Sequence, residues 1–202
     1  MSGGHLVLAT RNGKKLVELR RILQPAVDVV VLGLDDLPPY EEAPETGATY
    51  AENALSKARD AAAATGLPAI ADDSGLAVDA LNGMPGVLSA RWSGEHGDDV
   101  ANLRLLLGQI ADVPDERRGA AFVCAAALVA PGGAEHVVEG EMRGRIIRAP
   151  RGSGGFGYDP IFVAEGHTIT AAEMTPAAKD AISHRGQAFR ALLPVIAAVS
   201  GR

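Results

Sequence analysis

The stretch AAFVCAAALVAPGGAEHVVEGEMRGRII, residues 120–147, decides the predicted fold. Its first eleven residues are an apolar run typical of a buried strand, Pro131-Gly132-Gly133 predicts a turn, and residues 135–147 return as the second strand of a hairpin. Upstream, the apolar run HLVLAT at residues 5–10 precedes a helical pattern that begins near Gly13. A chain that combines a βα unit with a β-hairpin predicts an α/β protein with a mixed sheet.

The other predicted elements continue this alternation of strands and helices. Thr49 and Glu52 form a capping box, which predicts the start of a helix that ends at Gly66. Thr175-Pro176 predicts the start of one last helix that extends to Ile196. The remaining predictions are a strand at 27–32, a loop at 33–48, a strand, turn and strand over 67–79, a helix at 98–110 and a strand at 161–164.

Composition and charge limit the classes of function. The formal net charge is −6, which argues against a nucleic-acid polymer as partner, although a few local cations can hold a free nucleotide. The single cysteine, Cys124, excludes a disulfide framework and indicates a reducing compartment. No apolar run reaches the roughly 18 residues of a membrane span, and the start of the chain does not resemble a signal peptide. We therefore expect a cytoplasmic protein that does not bind membranes.

The segment ATRNGKK, residues 9–15, lies where a strand ends and a helix begins. Backbone amides at a helix N-terminus and two lysines are suited to a phosphate. The alternative is an ordinary capped helix with solvated lysines, which the segment alone favours. It is not a Walker A loop, because G-x-x-x-x-G-K-[ST] is absent.

The segment AIADDSGL, residues 69–76, places two adjacent carboxylates after an apolar strand. Adjacent acids there are costly unless a cation or hydrogen bonds compensate them, and Mg²⁺ is usually held by one or two carboxylates plus substrate phosphates. A carboxylate can also deprotonate the attacking water. The alternative is an Asp-Asp-Ser-Gly turn, which local turn chemistry explains equally well.

Two further segments carry candidate ligand-binding groups. GSGGFGYDP, residues 152–160, spells G-x-G-x-x-G, but Pro160 blocks the helix that a dinucleotide fingerprint needs. Its glycines allow close approach of the backbone to a ligand, and Phe156 can stack on a base; the alternative is a flexible surface loop. KDAISHRGQA, residues 179–188, groups Lys179, Ser183, His184 and Arg185 on a predicted helix, with a solvated helix face as the alternative.

These segments, in this order, resemble the inosine triphosphate pyrophosphatase family, also called non-canonical purine NTP pyrophosphatases or XTP/dITP diphosphatases. The resemblance covers nearly the whole chain. It rests on T-x-N-x-x-K (Thr10, Asn12, Lys15), ETG (45–47), ADDSGL (71–76), PGVLSARWSG (85–94), GGFGYDPIF (154–162) and SHRG (183–186).

The resemblance implies one two-lobed domain over residues 1–202, with a long central mixed sheet flanked by helices and a cleft between the lobes. It implies a homodimer that hydrolyses ITP, dITP and XTP to the monophosphate and pyrophosphate with Mg²⁺. Asp73 would be the proton acceptor and a metal ligand, with Asp72 beside it. The implied substrate-binding residues are Thr10, Arg11, Asn12, Gly13, Lys14, Lys15 and Lys179 for phosphates, Ser74, then Phe156, Gly157, Tyr158 and Asp159 for the base, and His184 and Arg185 for the purine 6-oxo edge.

One position departs from this pattern. Many relatives carry a metal-binding acid immediately before the ETG segment, where this sequence has Pro44. Glu45, or the upstream Glu41-Glu42, is the expected substitute. Two rival functions stay open: a related pyrophosphatase of the Maf type that acts on dTTP or UTP, and a nucleotide-binding module without catalysis.

Overall fold

The structure of the protein is a computed structural model that describes residues 4–27, 29–41 and 43–200. Strands and helices alternate along the first half of the chain, as the sequence predicts. The strands are β1 (Gly4–Leu8), β2 (Val29–Gly33), β3 (Ala69–Val78), β4 (Gly119–Val129), β5 (Glu135–Ile146) and β6 (Phe162–Ala164). The helices are α1 (Gly13–Leu23), α2 (Tyr50–Thr65), α3 (Asp99–Gln109), α4 (Pro176–Ile182) and α5 (His184–Ser200).

The strands of the described ranges form one six-stranded sheet in the order β2-β1-β3-β4-β5-β6. Strand β1 pairs in parallel with both β2 and β3, whereas β5 and β6 are antiparallel. The predicted α/β fold with a mixed sheet is therefore confirmed. The sequence predicted β2 over 27–32; the strand is found at Val29–Gly33, and Asp28 lies outside the described residues.

The chain divides into two compact units. The first contains residues 1–73, 124–140 and 185–202, and the second contains residues 74–123 and 141–184. In the first unit, alternate side chains of β1 and β3 enter two different apolar clusters. Leu6, Leu8 and Ile70 pack with residues of α1 and α5, while Val7, Ala69 and Ala71 pack with the alanines of α2.

The second unit has its own core. The rings of Phe122 in β4 and Phe162 in β6 are tilted against each other, with their centroids 4.6 Å apart. Aromatic pairs prefer such tilted arrangements to face-to-face stacking. Leu103 and Leu106 of α3 join the same cluster, as their helical spacing predicts. None of the helices in the described part of the chain has the length and apolarity needed to cross a bilayer.

Two predictions about local structure are wrong. Residues 69–78 are one continuous strand rather than a strand, a turn and a strand, so the Asp-Asp-Ser-Gly turn does not exist. The last helix is two helices, because Ser183 takes an extended conformation with ψ of 149° between α4 and α5. Apolar positions keep helical spacing on both sides of Ser183, and this concealed the break. Lys179, Ser183, His184 and Arg185 therefore do not lie on the one helix that the sequence predicted: Lys179 is in α4, and His184 and Arg185 begin α5.

Candidate active site

Strand β3 places the two candidate carboxylates on opposite faces of the sheet. Successive side chains of a strand point to opposite sides of the sheet. Asp72 therefore lies on the same face as Ile70, and Asp73 on the same face as Ala71. Asp72 consequently lies on the side of α1 and α5, and Asp73 on the side of α2. The two acids thus have different hydrogen-bond partners within the first unit, although the charges of Lys15 and Lys57 act on both of them.

Asp72 is the centre of a buried charge network. Its Oδ2 accepts hydrogen bonds from Lys15 Nζ at 3.0 Å and from Arg185 Nε at 3.2 Å. Arg185 Nη1 also donates to Glu18 Oε2 at 2.9 Å. The side chains of Asp72 and Arg185 are almost completely buried. Two cations and two carboxylates therefore neutralise one another inside the fold.

Protonation of Asp72 is strongly disfavoured. Burial by itself would raise the pKa of Asp72, but the charges of Lys15 and Arg185 outweigh it and hold the pKa well below its usual range. Burial likewise opposes the charged form of Arg185, yet Asp72 and Glu18 raise the pKa of its guanidinium. With 1% of its surface exposed, Arg185 is held by two carboxylates. Its predicted contact with the purine 6-oxo edge stays a prediction.

Asp73 is held by α2. Asn53 Nδ2 donates to Asp73 Oδ2 at 2.9 Å, and Asn53 Oδ1 accepts from the backbone N–H of Gly47 at 2.8 Å. The Lys57 ammonium lies 3.0 Å from Glu45 Oε1 and 3.8 Å from Asp73 Oδ1. These contacts bring the predicted Glu45 and Asp73 to one cluster.

The environment of Asp73 favours proton uptake. Burial raises the pKa of Asp73 above its ordinary value, although Lys57 and Asn53 oppose that shift. For Lys57, burial lowers the pKa, but the nearby carboxylates outweigh it and the ammonium form is favoured. A carboxylate with a raised pKa beside fixed cations is suited to accept a proton from water.

Three residues of this unit were missed by sequence reasoning: Glu18, Asn53 and Lys57. Asn53 and Lys57 are four residues apart and therefore share a face of α2. The helix is otherwise rich in alanine on its buried side, so two polar residues at this spacing were the signal that could have found them. Glu18 lies three residues after Lys15 on α1, which gives a similar signal.

The donor set fits a magnesium ion, which the fold family implies. Carboxylate oxygens of Glu45 and Asp73 both lie within 4 Å of one ammonium nitrogen, so they already converge on a single positive charge. Among residues 4–27, 29–41 and 43–200, no group of three or more His, Cys, Asp or Glu side chains could form a metal site. Mg²⁺ is usually held by one or two carboxylates plus substrate phosphates, so Glu45 and Asp73 are the residues of this cluster that would fit it.

The other candidate metal ligands are placed differently. Asp72 Oδ2 is occupied by Lys15 and Arg185, on the opposite face of β3 from Asp73. Glu41 is exposed, and Glu42 lies outside the described residues. The role of Asp72 as a metal ligand stays a prediction. Its contacts are with Lys15 and Arg185, whereas Asp73 and Glu45 lie near Lys57.

The predicted phosphate loop is a capped helix start. Asn12 Oδ1 accepts from the backbone N–H groups of Lys14 and Lys15 at 3.0 and 3.2 Å, and Thr10 Oγ1 accepts from Asn12 N at 3.2 Å. Two helix amides are therefore already satisfied by the cap. Arg11, Gly13 and Lys14 are exposed, and the ammonium of Lys15 faces Asp72.

In the second unit, side chains fix the glycine-rich loop at several points. Asp159 Oδ2 accepts from Phe156 N at 2.9 Å and from Lys179 Nζ. The ammonium of Lys179 lies 5.2 Å from the centre of the Phe156 ring. The structure therefore joins Lys179, predicted for phosphates, to the residues predicted for the base.

Further contacts fix the same loop. Gly157 N donates to Asp99 Oδ2 at 2.9 Å, and the buried hydroxyl of Tyr158 donates to Ser89 O at 2.9 Å. Asp99 and Ser89 were not predicted as site residues. Gly157 has a φ of +59°, a conformation that favours glycine. These contacts disfavour the alternative of a loose surface loop.

Ser74 and His184 complete the predicted set. Ser74 is half-buried on β3. The His184 ring stacks on Phe122, with ring centroids 5.1 Å apart and an interplanar angle of 13°, and only 4% of the residue is exposed. His184 is therefore a packed aromatic partner in the second unit.

Comparisons with known proteins show the family to which the chain belongs. The sequence model of the Ham1 family matches residues 6–195. A dITP/XTP pyrophosphatase of Nocardia farcinica is 68% identical over 204 residues, which cover 100% of this chain and 99% of the relative.

Solved structures give the same result. A crystal structure of a nucleoside-triphosphatase, dITP/XTP pyrophosphatase, from Mycobacterium abscessus is 63% identical with a TM-score of 0.77, covering 94% of this chain and 99% of that one. A HAM1 protein from Coxiella burnetii is 43% identical with a TM-score of 0.84, covering 96% and 98%. This chain belongs to the Ham1 family.

Proposed function

We propose that this protein is a Mg²⁺-dependent pyrophosphatase that hydrolyses dITP, XTP and ITP to the nucleoside monophosphate and pyrophosphate. The proposal is carried by the buried Asp73 carboxylate, which Asn53 orients beside Lys57 and Glu45. The names of the Nocardia and Mycobacterium relatives support this choice of substrate.

Asp73 is the proposed proton acceptor. The hydrogen bond from Asn53 to Oδ2 would fix the orientation of the carboxylate that takes the proton from the attacking water. Burial raises its pKa, which makes it a stronger base than an exposed aspartate. Glu45 and Asp73 would hold Mg²⁺, which when bound neutralises phosphate charge and lowers the pKa of bound water.

The proposed phosphate-binding groups of the first unit lie around Lys15. Its ammonium would stabilise the charge that develops as pyrophosphate leaves. Asp72 fixes that ammonium and Arg185 in place, so its role here is to position cations. Thr10, Arg11, Asn12 and Lys14, with the backbone of Gly13, would supply further contacts.

The proposed base-binding residues of the second unit are Phe156, Gly157, Tyr158 and Asp159. In the same unit, Lys179 would bind phosphates, Ser74 would contact the substrate, and His184 would contact the purine 6-oxo edge. Phe156 would stack on the purine. Donors such as Arg185 of the first unit would bind a 6-oxo group. Adenine presents an amino group at that position and would leave such donors unsatisfied, which is a costly mismatch.

A panel of nucleotides tests the proposal. ITP, dITP, XTP, GTP, ATP, dTTP and UTP are incubated with the protein and Mg²⁺, and the products are resolved as pyrophosphate or orthophosphate. We expect pyrophosphate from the first three and little turnover of ATP. Orthophosphate release or equal turnover of ATP contradicts the proposal. Preference for dTTP or UTP would indicate the Maf-type reaction, and ITP binding without turnover would indicate a binding module.

Two further expectations come from the resemblance, for the homodimer, and from composition, for the location. We propose a homodimer, which light scattering after size-exclusion chromatography tests directly, and a cytoplasmic location, where the nucleotide pool would be its substrate. A monomer at micromolar concentration would contradict the first expectation.

A further inference from the structure

We propose that the ammonium of Lys57 and a divalent cation compete for one pair of carboxylates, Glu45 and Asp73, in the nucleotide-free protein. Binding of the metal would then require Lys57 to leave that pair. This inference rests on the proposed Mg²⁺ dependence, and it adds Lys57 as a residue that would control the metal affinity.

The geometry places Lys57 where the two carboxylates converge. Its Nζ is 3.0 Å from Glu45 Oε1, a hydrogen bond, and 3.8 Å from Asp73 Oδ1. Only 14% of the Lys57 side chain is exposed, compared with 37% for Glu45 and 10% for Asp73. A divalent ion bound about 2.1 Å from oxygens of both acids would therefore lie no more than about 5 Å from the ammonium, a separation at which like charges repel.

The charges of the cluster predict whether loss of Lys57 raises or lowers the affinity for a divalent cation. Glu45 and Asp73 carry two negative charges and Lys57 carries one positive charge, so the cluster presents a net charge of −1 to an incoming ion. Removal of the ammonium leaves −2 and also removes the repulsion. The affinity for a divalent cation should then rise, although loss of a cluster residue would ordinarily be expected to weaken a site.

The opposite face of β3 provides a matched control. Lys15 also pairs with a buried aspartate of the same strand, Asp72, at 3.0 Å. Because successive strand side chains point to opposite sides, its ammonium lies on the other face from Glu45 and Asp73. The charge of Lys15 also acts on Asp73, but more weakly than that of Lys57. A general effect of removing one positive charge would therefore appear in both lysine variants, whereas direct competition would make the effect much larger at Lys57.

Direct binding of Mn²⁺ and Mg²⁺ to the nucleotide-free full chain tests the inference, with free Mn²⁺ measured by electron paramagnetic resonance and Mg²⁺ binding by calorimetry. Lys57→Met and Lys57→Gln should bind either ion at least about tenfold more tightly than the wild type. Lys57→Arg, which keeps the charge, and Lys15→Met should stay within about threefold. Unchanged or weaker binding in both neutral variants, including no binding to either, would overturn the competition.

A second measurement needs no variant. Competition predicts that Mg²⁺ frees the Lys57 ammonium, so labelling of Lys57 by an amine-reactive reagent, quantified by mass spectrometry, should rise severalfold when Mg²⁺ is added. Labelling that does not change, while Mn²⁺ binding is measurable, contradicts the inference. The nucleotide panel on the same preparation separates the two proposals, since a protein could show this competition and still release no pyrophosphate.

Discussion

Asn53 Nδ2 donates a hydrogen bond of 2.9 Å to Asp73 Oδ2. The other end of the same amide accepts from the N–H of Gly47 at 2.8 Å, so one side chain of α2 ties the ETG segment to β3. Both ends of the Asn53 side chain are engaged, and the residue is 2% exposed. Asn53 therefore fixes the orientation of Asp73, the proposed proton acceptor.

Asn53→Ala should lower pyrophosphate release by about 10–100-fold, because the orienting partner of Asp73 is lost. The buried amide is also lost, so the free energy of unfolding should fall by about 1–3 kcal/mol. Steady-state kinetics and urea unfolding measure the two effects.

Asn102 offers a control for the loss of a buried amide. Its Oδ1 accepts from Ser93 N at 2.7 Å and its Nδ2 donates to Ala90 O at 3.2 Å. Asn102→Ala should lose comparable stability and keep its turnover. Equal turnover in the two variants would contradict the orienting role of Asn53.

Gly47→Ala should disturb the same bridge. A Cβ at Gly47 would lie 2.6 Å from Asn53 Oδ1 and 2.8 Å from Glu52 Cβ, both closer than carbon tolerates. We expect a stability loss of about 1–3 kcal/mol and a loss of turnover similar to that of Asn53→Ala. Thermal unfolding and the pyrophosphate assay measure these effects.

Gly108→Ala is the matched glycine control. Gly108 is in α3, and no atom lies within 4 Å of an added Cβ. Alanine favours helix, so this variant should be unchanged or up to about 1 kcal/mol more stable. A Gly47→Ala protein with unchanged stability would show that the ETG segment shifts freely.

Asp73→Asn should reduce turnover by about 10²–10⁴-fold, because an amide cannot accept the proton. Burial disfavours the charged form of Asp73 and raises its pKa, so the neutral amide should leave thermal stability unchanged or slightly higher. Asp79→Asn, at an exposed residue that pairs with Arg143 in the second unit, should keep full turnover. Full turnover in Asp73→Asn would remove Asp73 from catalysis.

Asp72 should make stability sensitive to acid. Its pKa in the fold is below the ordinary value of 3.8, so its contribution is complete above that pH and is lost as pH falls through the folded pKa. Asp72→Asn leaves Arg185 and Lys15 with less negative charge and should cost about 3–5 kcal/mol at pH 6.

Urea unfolding of the metal-free wild type and Asp72→Asn between pH 6 and pH 3 measures this contribution. The difference between their free energies of unfolding should narrow below about pH 4. A difference that stays constant down to pH 3 would mean that the network does not depress the pKa of Asp72.

Much of the fold followed from local patterns. The apolar run at 120–130 and the polar-alternating stretch after it predicted two adjacent strands, and β4 and β5 are neighbours in the sheet. The caps at Asn12 and Thr49 and the stop at Gly66 agree with the observed helices. Helix caps and stops depend on residues a few positions apart, so they can be predicted from the sequence alone.

The break at Ser183 could not be predicted in the same way. Hydrophobic spacing continues from Ile182 to Phe189, and the one glycine of this stretch, Gly186, lies inside α5 and not at the break. Ser183 is completely buried and extended, a state that depends on surroundings supplied by distant parts of the chain.

For the site, the sequence predicted that Asp72 and Asp73 are the central acids, and it predicted the βα turn with lysines that precedes them. Only the tertiary structure decided that the two acids serve different partners, because a continuous strand turns adjacent side chains to opposite faces. Asp72 meets Lys15 and Arg185, from positions 57 and 113 residues away in the chain, and Asp73 meets Asn53, 20 residues away. Such contacts depend on how helices pack against the sheet, which no local spacing encodes.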